Sequence, residues 1–509
     1  MRAIIQWMVD MSGYIWGTPI IILLFGASLY FTITCKFVQM RHLKHQFSLL
    51  SKVSDRSTVG ISPFETFCNT VAYRVGAANI AGVAVAVLAG GPGAVVWMLI
   101  SSVANAALSY AENSLGQVYK VEKDGVYTGG AYYYMNLGMG WKILPIIFGA
   151  LTVICIPLLA PAPHASNVAG AFNTAFGIPK WVIGLAVGAV IFTIISGGIK
   201  RIARVATIIV PFMTLLYLGI TIIILCVHIA EIPNMLYIML SSAFGWNALY
   251  GALLGSAVLW GVKRSVNSSG AGMAESVGPT SAAEVSHPGE TGLVSSLSVF
   301  IDVAVCICTG LLILSTDCYN VAGLDGSMLH VGQGAAVMSE YAVAGIADIT
   351  WTQAAVSTLV GHFGTIIVAL CLLFFSVTTN LNHYYQGEIA MRYLTKNMSS
   401  TVRKAAVWVL RFMMVFCYFW FAISGSSDMW SVGDFSCGLM VWVNCIVLLI
   451  MSPTIIKVHR DYERQRKAGI ETPVFNPEKA GIKNADFWME HNKDKFAEVE
   501  AKLAKAEKK

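Results

Sequence analysis

The chain runs to 509 residues, 56% of them apolar and only 12% charged, with a formal net charge of +6. Soluble domains carry about a quarter charged residues, so a water-soluble globular fold is excluded. Apolar stretches of the ~20 residues needed to cross a hydrocarbon layer of ~30 Å recur from residue 14 to residue 456, which excludes a barrel built from strands of about ten residues and predicts an all-α polytopic membrane protein.

Eleven transmembrane helices are predicted, over 14–35, 62–88, 92–118, 143–168, 180–197, 205–229, 235–262, 291–316, 353–390, 403–425 and 434–456. No small-residue cleavage site follows the first, so it reads as a span and not as a removed signal peptide. The second carries Gly76 and Gly82 beside Arg74, the fourth Pro157, Pro161 and Pro163, and the seventh Gly245, Gly251 and Gly255. A helix interrupted in lipid leaves backbone groups unpaired, which is tolerated where they line a cavity or hold a ligand; close helix packing is the other use of such glycines. Spans two to six and seven to eleven form two groups of five that start on opposite sides, the arithmetic of an inverted repeat, with the interrupted spans two and seven leading the halves. Residues 1–456 thus form one transmembrane domain and 457–509 a polar cytoplasmic tail. In that tail "DKFAEVEAKLAKAEKK" places Phe496, Val499 and Leu503 at helical spacing, as in a short amphipathic helix on a solvated end, with docking on the membrane surface or on the body of the protein as the minor reading.

Charge alternates between the connections. One set holds Lys36, Arg41, Lys44, Lys52 and Arg56, then Lys120 and Lys123, then Lys200, Arg201 and Arg204, then Lys263 and Arg264, then Arg392, Lys396, Arg403 and Lys404. The other holds Asp10, Glu231, Asp317, Asp325, Glu340, Asp348, Asp428 and Asp434, with only Arg2 and Lys180 as cations. The split predicts a plasma-membrane protein with its N-terminus outside and its C-terminus in the cytoplasm, and it accounts for the net charge without a nucleic-acid partner. The 11 cysteines lie mostly within spans and imply no disulfide framework; Cys306 and Cys308 read as small core residues.

Several stretches, in order, resemble the alanine or glycine:cation symporter family, the sodium:alanine symporters: "NIAGVAVAVLAGGPGAVVWM" at 79–98, "GGIKRIARVATIIVPFM" at 197–213, "GVKR" at 261–264, "HPGETGLVSSLSVFIDVAVC" at 287–306 and "YYQGE" at 384–388. The opening "WGTPIIILLFGASLYFTITCKFVQMRHL" is similar to that family's first helix, and the resemblance extends to about residue 460. It implies one N-terminal helix ahead of a LeuT-type core of two inverted five-helix repeats, and secondary active uptake of a small amino acid with Na+ or H+. The departures fall where substrate contacts are expected. The family's Gly-Thr-Val-Gly-Thr-Gly-Asn becomes Tyr73-Arg74-Val75-Gly76-Ala77-Ala78-Asn79; its substrate-facing glutamine aligns with His164. Its Thr-Thr-Ile-Leu-Gly-Trp becomes Thr378-Thr379-Asn380-Leu381-Asn382-His383, and its Ser-Asn-Glu-Ala-Gly-Met becomes Ser268-Ser269-Gly270-Ala271-Gly272-Met273. The balance is one arginine and two histidines gained and one carboxylate lost.

Arg74 has three readings: a fork for a substrate carboxylate or other anion, a fixed charge in place of sodium, or a structural ion pair with Asp302 or Glu112. Gly76 and Asn79 mark the helix break, where Asn79 either contacts substrate or caps the resumed half-helix. His164 and His383 suit donation to an acid, proton coupling or a neutral core role. Ser376, Thr378 and Thr379 offer hard oxygens where this fold places its most widespread sodium site, although threonines in membrane helices also bond their own backbone. Asp302 is an intramembrane acid, hence an ion-coupling group or the partner of an arginine. The expected partners are a small amino acid, Na+ or H+, and the lipid bilayer. No cofactor is expected, since no metal-ligand triplet, nucleotide loop or nucleophile elbow is present; the reading from another class is a non-transporting membrane sensor of amino acids that retained the fold.

Overall fold

The computed structural model describes residues 2–51, 60–123, 125–246, 250, 253–334 and 348–507; Lys52, Arg56, Gly251 and Glu340 lie outside them. Among the described residues eight helices are long and apolar enough to cross a membrane, and nine if the pair Ala3–Ile15 and Thr18–Thr34, bent by 60°, is one crossing. These match nine of the eleven predicted spans. The predicted fifth, helix Lys180–Ile195, has 16 residues, about 24 Å at 1.5 Å per residue, which is short of the hydrocarbon thickness. The predicted seventh is divided between helices Ile232–Ala243 and Leu254–Ser269. Two small antiparallel hairpins, the first of them β1 (Val121–Lys123) with β2 (Val126–Thr128), add what little strand there is among the described residues.

The elements that build the centre are α1 (Pro63–Arg74), α2 (Ala77–Gly90), α3 (Gly93–Val118), α4 (Pro161–Phe176), α5 (Leu254–Ser269), α6 (Val277–Ser281), α7 (Pro288–Ser315), α8 (Phe363–Leu394), α9 (Ser400–Ala422) and α10 (Ser426–Ile450). Helix α1 starts at a capping box: Glu65 N–H donates to Ser62 Oγ at 3.2 Å and Ser62 N–H to Glu65 Oε2 at 2.8 Å, with Pro63 preset at the first helical position. It ends because Val75 is extended (φ −80°, ψ 101°), and the chain resumes as α2 after Gly76.

The predicted seventh span is interrupted where its glycines begin, after Ala243, with Gly245 at φ +72°, and a further interruption that those glycines do not mark follows α5. Helix α5 runs through Gly255 and stops at Ser269; the non-helical segment is 270–276, where Gly270, Gly272 and Ala274 have φ of +63°, +83° and +59°. Left-handed backbone at alternate residues ends any α-helix, and two of the three positions are glycine. This break and the one at Val75–Gly76 meet, since Tyr73 OH donates to the Ser269 carbonyl at 3.3 Å. Helices α3 and α7 pack along one another behind them.

The tail is not a solvated end. Trp488 is fully buried and its Nε1–H is shared between the carbonyls of Gln117 (3.1 Å) and Val118 (3.2 Å). Asn492 donates to the Ser286 carbonyl at 3.0 Å. The amphipathic helix Phe496–Glu507 turns its apolar face to Ile470 and Val474 of the same tail.

Candidate functional site

Gly76 owes its place to space, because a Cβ there would lie 2.5 Å from His164 Cε1 and 3.0 Å from Thr379 Oγ1. Its N–H donates to Asn79 Oδ1 at 2.8 Å, so Asn79 does cap the resumed helix. The other end of the same amide reaches α5 and α7: Nδ2 lies 2.5 Å from Asp302 Oδ1, 3.0 Å from Ser268 Oγ and 3.1 Å from the Asp302 carbonyl. Ser268 Oγ donates to Asp302 Oδ1 at 2.6 Å, while the buried Asp302 Oδ2 has no hydrogen-bond partner among the described residues. An amide nitrogen from α2 and a hydroxyl from α5 thus converge on one buried carboxylate of α7.

Arg74, the last residue of α1, is buried (1% exposed) and held by hydroxyls. Its Nε donates to Ser298 Oγ at 2.8 Å and one terminal nitrogen to Ser109 Oγ at 2.7 Å and Ser295 Oγ at 3.0 Å. The other, Nη1, has no partner among the described residues, and the guanidinium lies 4.8 Å from the Tyr73 ring centre. Among the described residues no carboxylate oxygen comes within 4 Å of it, so the direct ion pair with Asp302 or Glu112 is not formed. Glu112 instead accepts from the backbone N–H groups of Gly272 (3.0 Å) and Ala274 (3.2 Å), which fastens the unwound segment to α3. Asn444 on α10 donates to the Gly272 carbonyl at 3.0 Å.

His164 on α4 and His383 on α8 meet edge to face, ring centres 5.7 Å apart. His164 Nδ1 accepts from the Ala77 N–H at 3.4 Å, at the start of the resumed half-helix. His383 Nε2 donates to Glu275 Oε1 at 2.5 Å, with both side chains buried. Glu275 belongs to the unwound segment, beyond Gly270, the position where the family resemblance places a glutamate. Thr379 spans the first break: its Oγ1 lies 2.9 Å from the Ala72 carbonyl, 3.3 Å from that of Val75 and 2.8 Å from that of Phe375. Thr378 and Ser376 point elsewhere. Thr378 bonds back to Phe374 (2.9 Å) and faces Met213, and Ser376 is 3.5 Å from Tyr418 OH.

Arg74, His164, Thr379 and His383 line a common cavity of about 30 Å³ with Glu275 and Asp434, room for one or two water molecules. Lys263 and Arg264 lie near its rim, each 2.6 Å from Asp434, with Arg264 over the Trp430 ring at 4.8 Å. The charge alternation assigned these two cations and Asp434 to connections on opposite sides; their direct pairing inside the bundle removes both from the orientation argument.

Broken helices crossing at a buried polar cavity are the architecture of a carrier, and the whole-chain comparisons agree. A family model described as "Sodium:alanine symporter family" matches residues 1–477. The chain belongs to this family. Among its relatives, a sodium/proton-dependent alanine carrier protein of Bacillus sp. (strain PS3) is 36% identical, covering 85% of this chain and 94% of its own. The sodium/alanine symporter AgcS of Methanococcus maripaludis is 31% identical, covering 90% and 96%, and the amino-acid carrier protein AlsT of Bacillus subtilis 30%, covering 95% and 97%. The crystal structure of MhsT in complex with L-phenylalanine superposes with a TM-score of 0.52 at 13% identity, over 89% of this chain and 99% of that one, a likeness of fold. This family member is therefore a multi-pass membrane transporter of the amino-acid:cation symport class and not an enzyme.

Sequence reasoning missed Glu275, Asp434 as a site acid, and the serines that hold Arg74. Glu275 sits in "GAGMAESVGPT", an acid within a glycine-rich apolar stretch, which was a usable signal. Ser295 and Ser298 stand at i, i+3 in "SSLS", one helical face; Ser109 had no signal of its own.

Proposed function

We propose that this transporter imports a small amino acid with Na+ or H+ by alternating access across the plasma membrane, N-terminus outside and C-terminus cytoplasmic, with a specificity altered from alanine and glycine. The observation that carries the reading is the meeting of both helix breaks around Arg74, His164, His383 and Glu275. The amino-acid carboxylate is drawn to the N–H groups and dipole of the half-helix resuming at Ala77; the Arg74 nitrogen without a hydrogen-bond partner among the described residues and the His383–Glu275 pair select a polar side chain. Asp302, with Asn79 and Ser268, is the coupling group, and Thr379 with the Ala72 and Val75 carbonyls is a second place for a cation. The 30 Å³ cavity is smaller than any amino acid, so loading requires the two helix bundles to move apart, as rocking transporters do. The fold reading counts Lys180–Ile195 as one further crossing and the divided seventh span, Ile232–Ala243 with Leu254–Ser269, as another, giving eleven.

A second reading has one specific observation in its favour. Arg74 is solvated by three serine hydroxyls and, among the described residues, by no carboxylate, as a fixed charge substituting for sodium would be, and it makes the protein a cation-independent exchanger. Proteoliposome uptake with a panel of labelled neutral and acidic amino acids, under an inward Na+ gradient, an inward H+ gradient or neither, separates the two. Ordinary sodium-driven alanine uptake that survives Arg74→Ala would sink the altered-site proposal.

A further inference from the structure

We infer that the basic end of α8 and α9 is a binding site for the phosphodiester headgroup of an anionic phospholipid, separate from the transport cavity. Between residues 392 and 412, "RYLTKNMSSTVRKAAVWVLRF", there are five cations (Arg392, Lys396, Arg403, Lys404, Arg411) and no acid. Two cavities of about 300 and 290 Å³ open there, and both are lined by Arg392, Arg403 and Arg411. Lys123 of the β1–β2 hairpin enters the first, Lys404 and Ser400 the second.

One carboxylate serves this cluster. Glu388 binds Arg392 at 2.6 Å and lies 3.7 Å from Arg411, which also donates to Tyr384 OH at 2.7 Å and stacks on Trp408 at 4.8 Å. Among the described residues Arg403 and Lys404 have no carboxylate oxygen within 4 Å. They are the fourth and fifth residues of a 23-residue helix with no acid in its first turn, an end where the helix dipole disfavours cations and favours an anion. Ser399 accepts from the N–H groups of Val402 and Arg403, and the placement becomes favourable once a phosphate bridges the arginine forks to the N–H groups of Ser400 and Thr401 ahead of them.

The surface leading away from the cations decides between a free anion and a lipid. Trp408, Val409 and Phe412 are exposed at 45%, 55% and 60%, and Phe192 packs on both aromatic rings, 6.3 Å from Trp408 and 5.3 Å from Phe412. An apolar aromatic wall running from a cationic cavity on a membrane-spanning helix fits acyl chains below a charged headgroup. A free phosphate makes no use of it.

The test is thermal unfolding of the full chain in detergent, titrated with phosphatidylglycerol, phosphatidylcholine or inorganic phosphate, for wild type and the double variant Arg403→Gln/Lys404→Gln. Phosphatidylglycerol is expected to raise the wild-type melting temperature and phosphatidylcholine and phosphate to leave it unchanged. The double variant should need about 30-fold more phosphatidylglycerol for half the shift, for two surface cations lost. If the double variant does not fold, Lys404→Gln alone, at an exposed position, should need about 5-fold more. An unchanged phosphatidylglycerol response in the variant that folds, or a wild-type response reproduced by phosphatidylcholine or phosphate, overturns the inference.

Discussion

Asp302→Asn separates coupling from stability. In the native site Oδ1 accepts from Asn79 at 2.5 Å and Ser268 at 2.6 Å, and Oδ2 has no partner among the described residues. An asparagine keeps the accepting oxygen in place and turns its NH2 to the side where no bond exists. Each retained bond weakens from the charged to the neutral class, by about 1 kcal/mol, while the charge no longer has to be buried, which offsets the loss. The melting temperature should therefore move by only a few degrees. A transported cation loses its attraction to a full charge, about 4 kcal/mol for a contact near 4 Å at an effective dielectric of 20 and less after desolvation is counted. At 2–4 kcal/mol the half-saturating cation concentration rises roughly 30- to 700-fold. The assay is initial-rate uptake into proteoliposomes of the amino acid best carried by wild type, against cation concentration, beside detergent-solution melting. A variant that melts like wild type and keeps its cation dependence within threefold would refute the assignment of Asp302.

Gly76→Ala forces a methyl to within 2.5 Å of His164; overpacking of about 1–3 kcal/mol should lower the melting temperature and abolish uptake, and wild-type uptake would show that the break tolerates a side chain. Arg74→Lys cannot present a fork to Ser109, Ser295 and Ser298 together; with at least one charge-assisted bond of about 1.5–3 kcal/mol lost, uptake should fall at least tenfold, and an unchanged KM counts against Arg74 as a substrate contact. Trp488→Ala removes a fully buried ring and two shared carbonyl contacts, about 3–5 kcal/mol, so the tail should detach and become protease-sensitive; unchanged cleavage means it is held elsewhere. Glu463, outside the spanning helices, is held at about 2 by its 2.5 Å hydrogen bond from His42, against the opposing effect of burial. A depressed carboxyl contributes stability that is present above its ordinary value of 4.5 and lost as pH falls towards 2, to a degree reduced by its partial exposure. Glu463→Gln should flatten the melting profile between those pH values, and a parallel profile would contradict this.

Much of the site was legible because helix-breaking and charge in an apolar segment are local signals. "AYRVGAANIAGVA" announces both the break at Val75–Gly76 and the buried Arg74, and Asp302 stands out as an acid in "FIDVA". The break at 270–276 was missed because only the glycines inside the apolar run were weighted as markers. Gly255 lies inside a regular helix, whereas the interruption at 270–276 depends on Glu112 and Asn444, distant in sequence, to satisfy its backbone groups.

Composition and the spacing of apolar runs determined by themselves that the chain is a helical membrane protein with a broken span near Arg74, because lipid admits backbone only when its hydrogen bonds close within a segment. Only the tertiary structure decided which charges meet. Lys263, Arg264 and Asp434 looked like loop charges on opposite sides and are one buried cluster; Arg74 looked in need of a carboxylate and rests on serines; Glu275 pairs with His383; and the tail is packed. Low dielectric makes each such partner matter energetically, yet the partners lie on different helices, and no one-dimensional pattern records the distance between them.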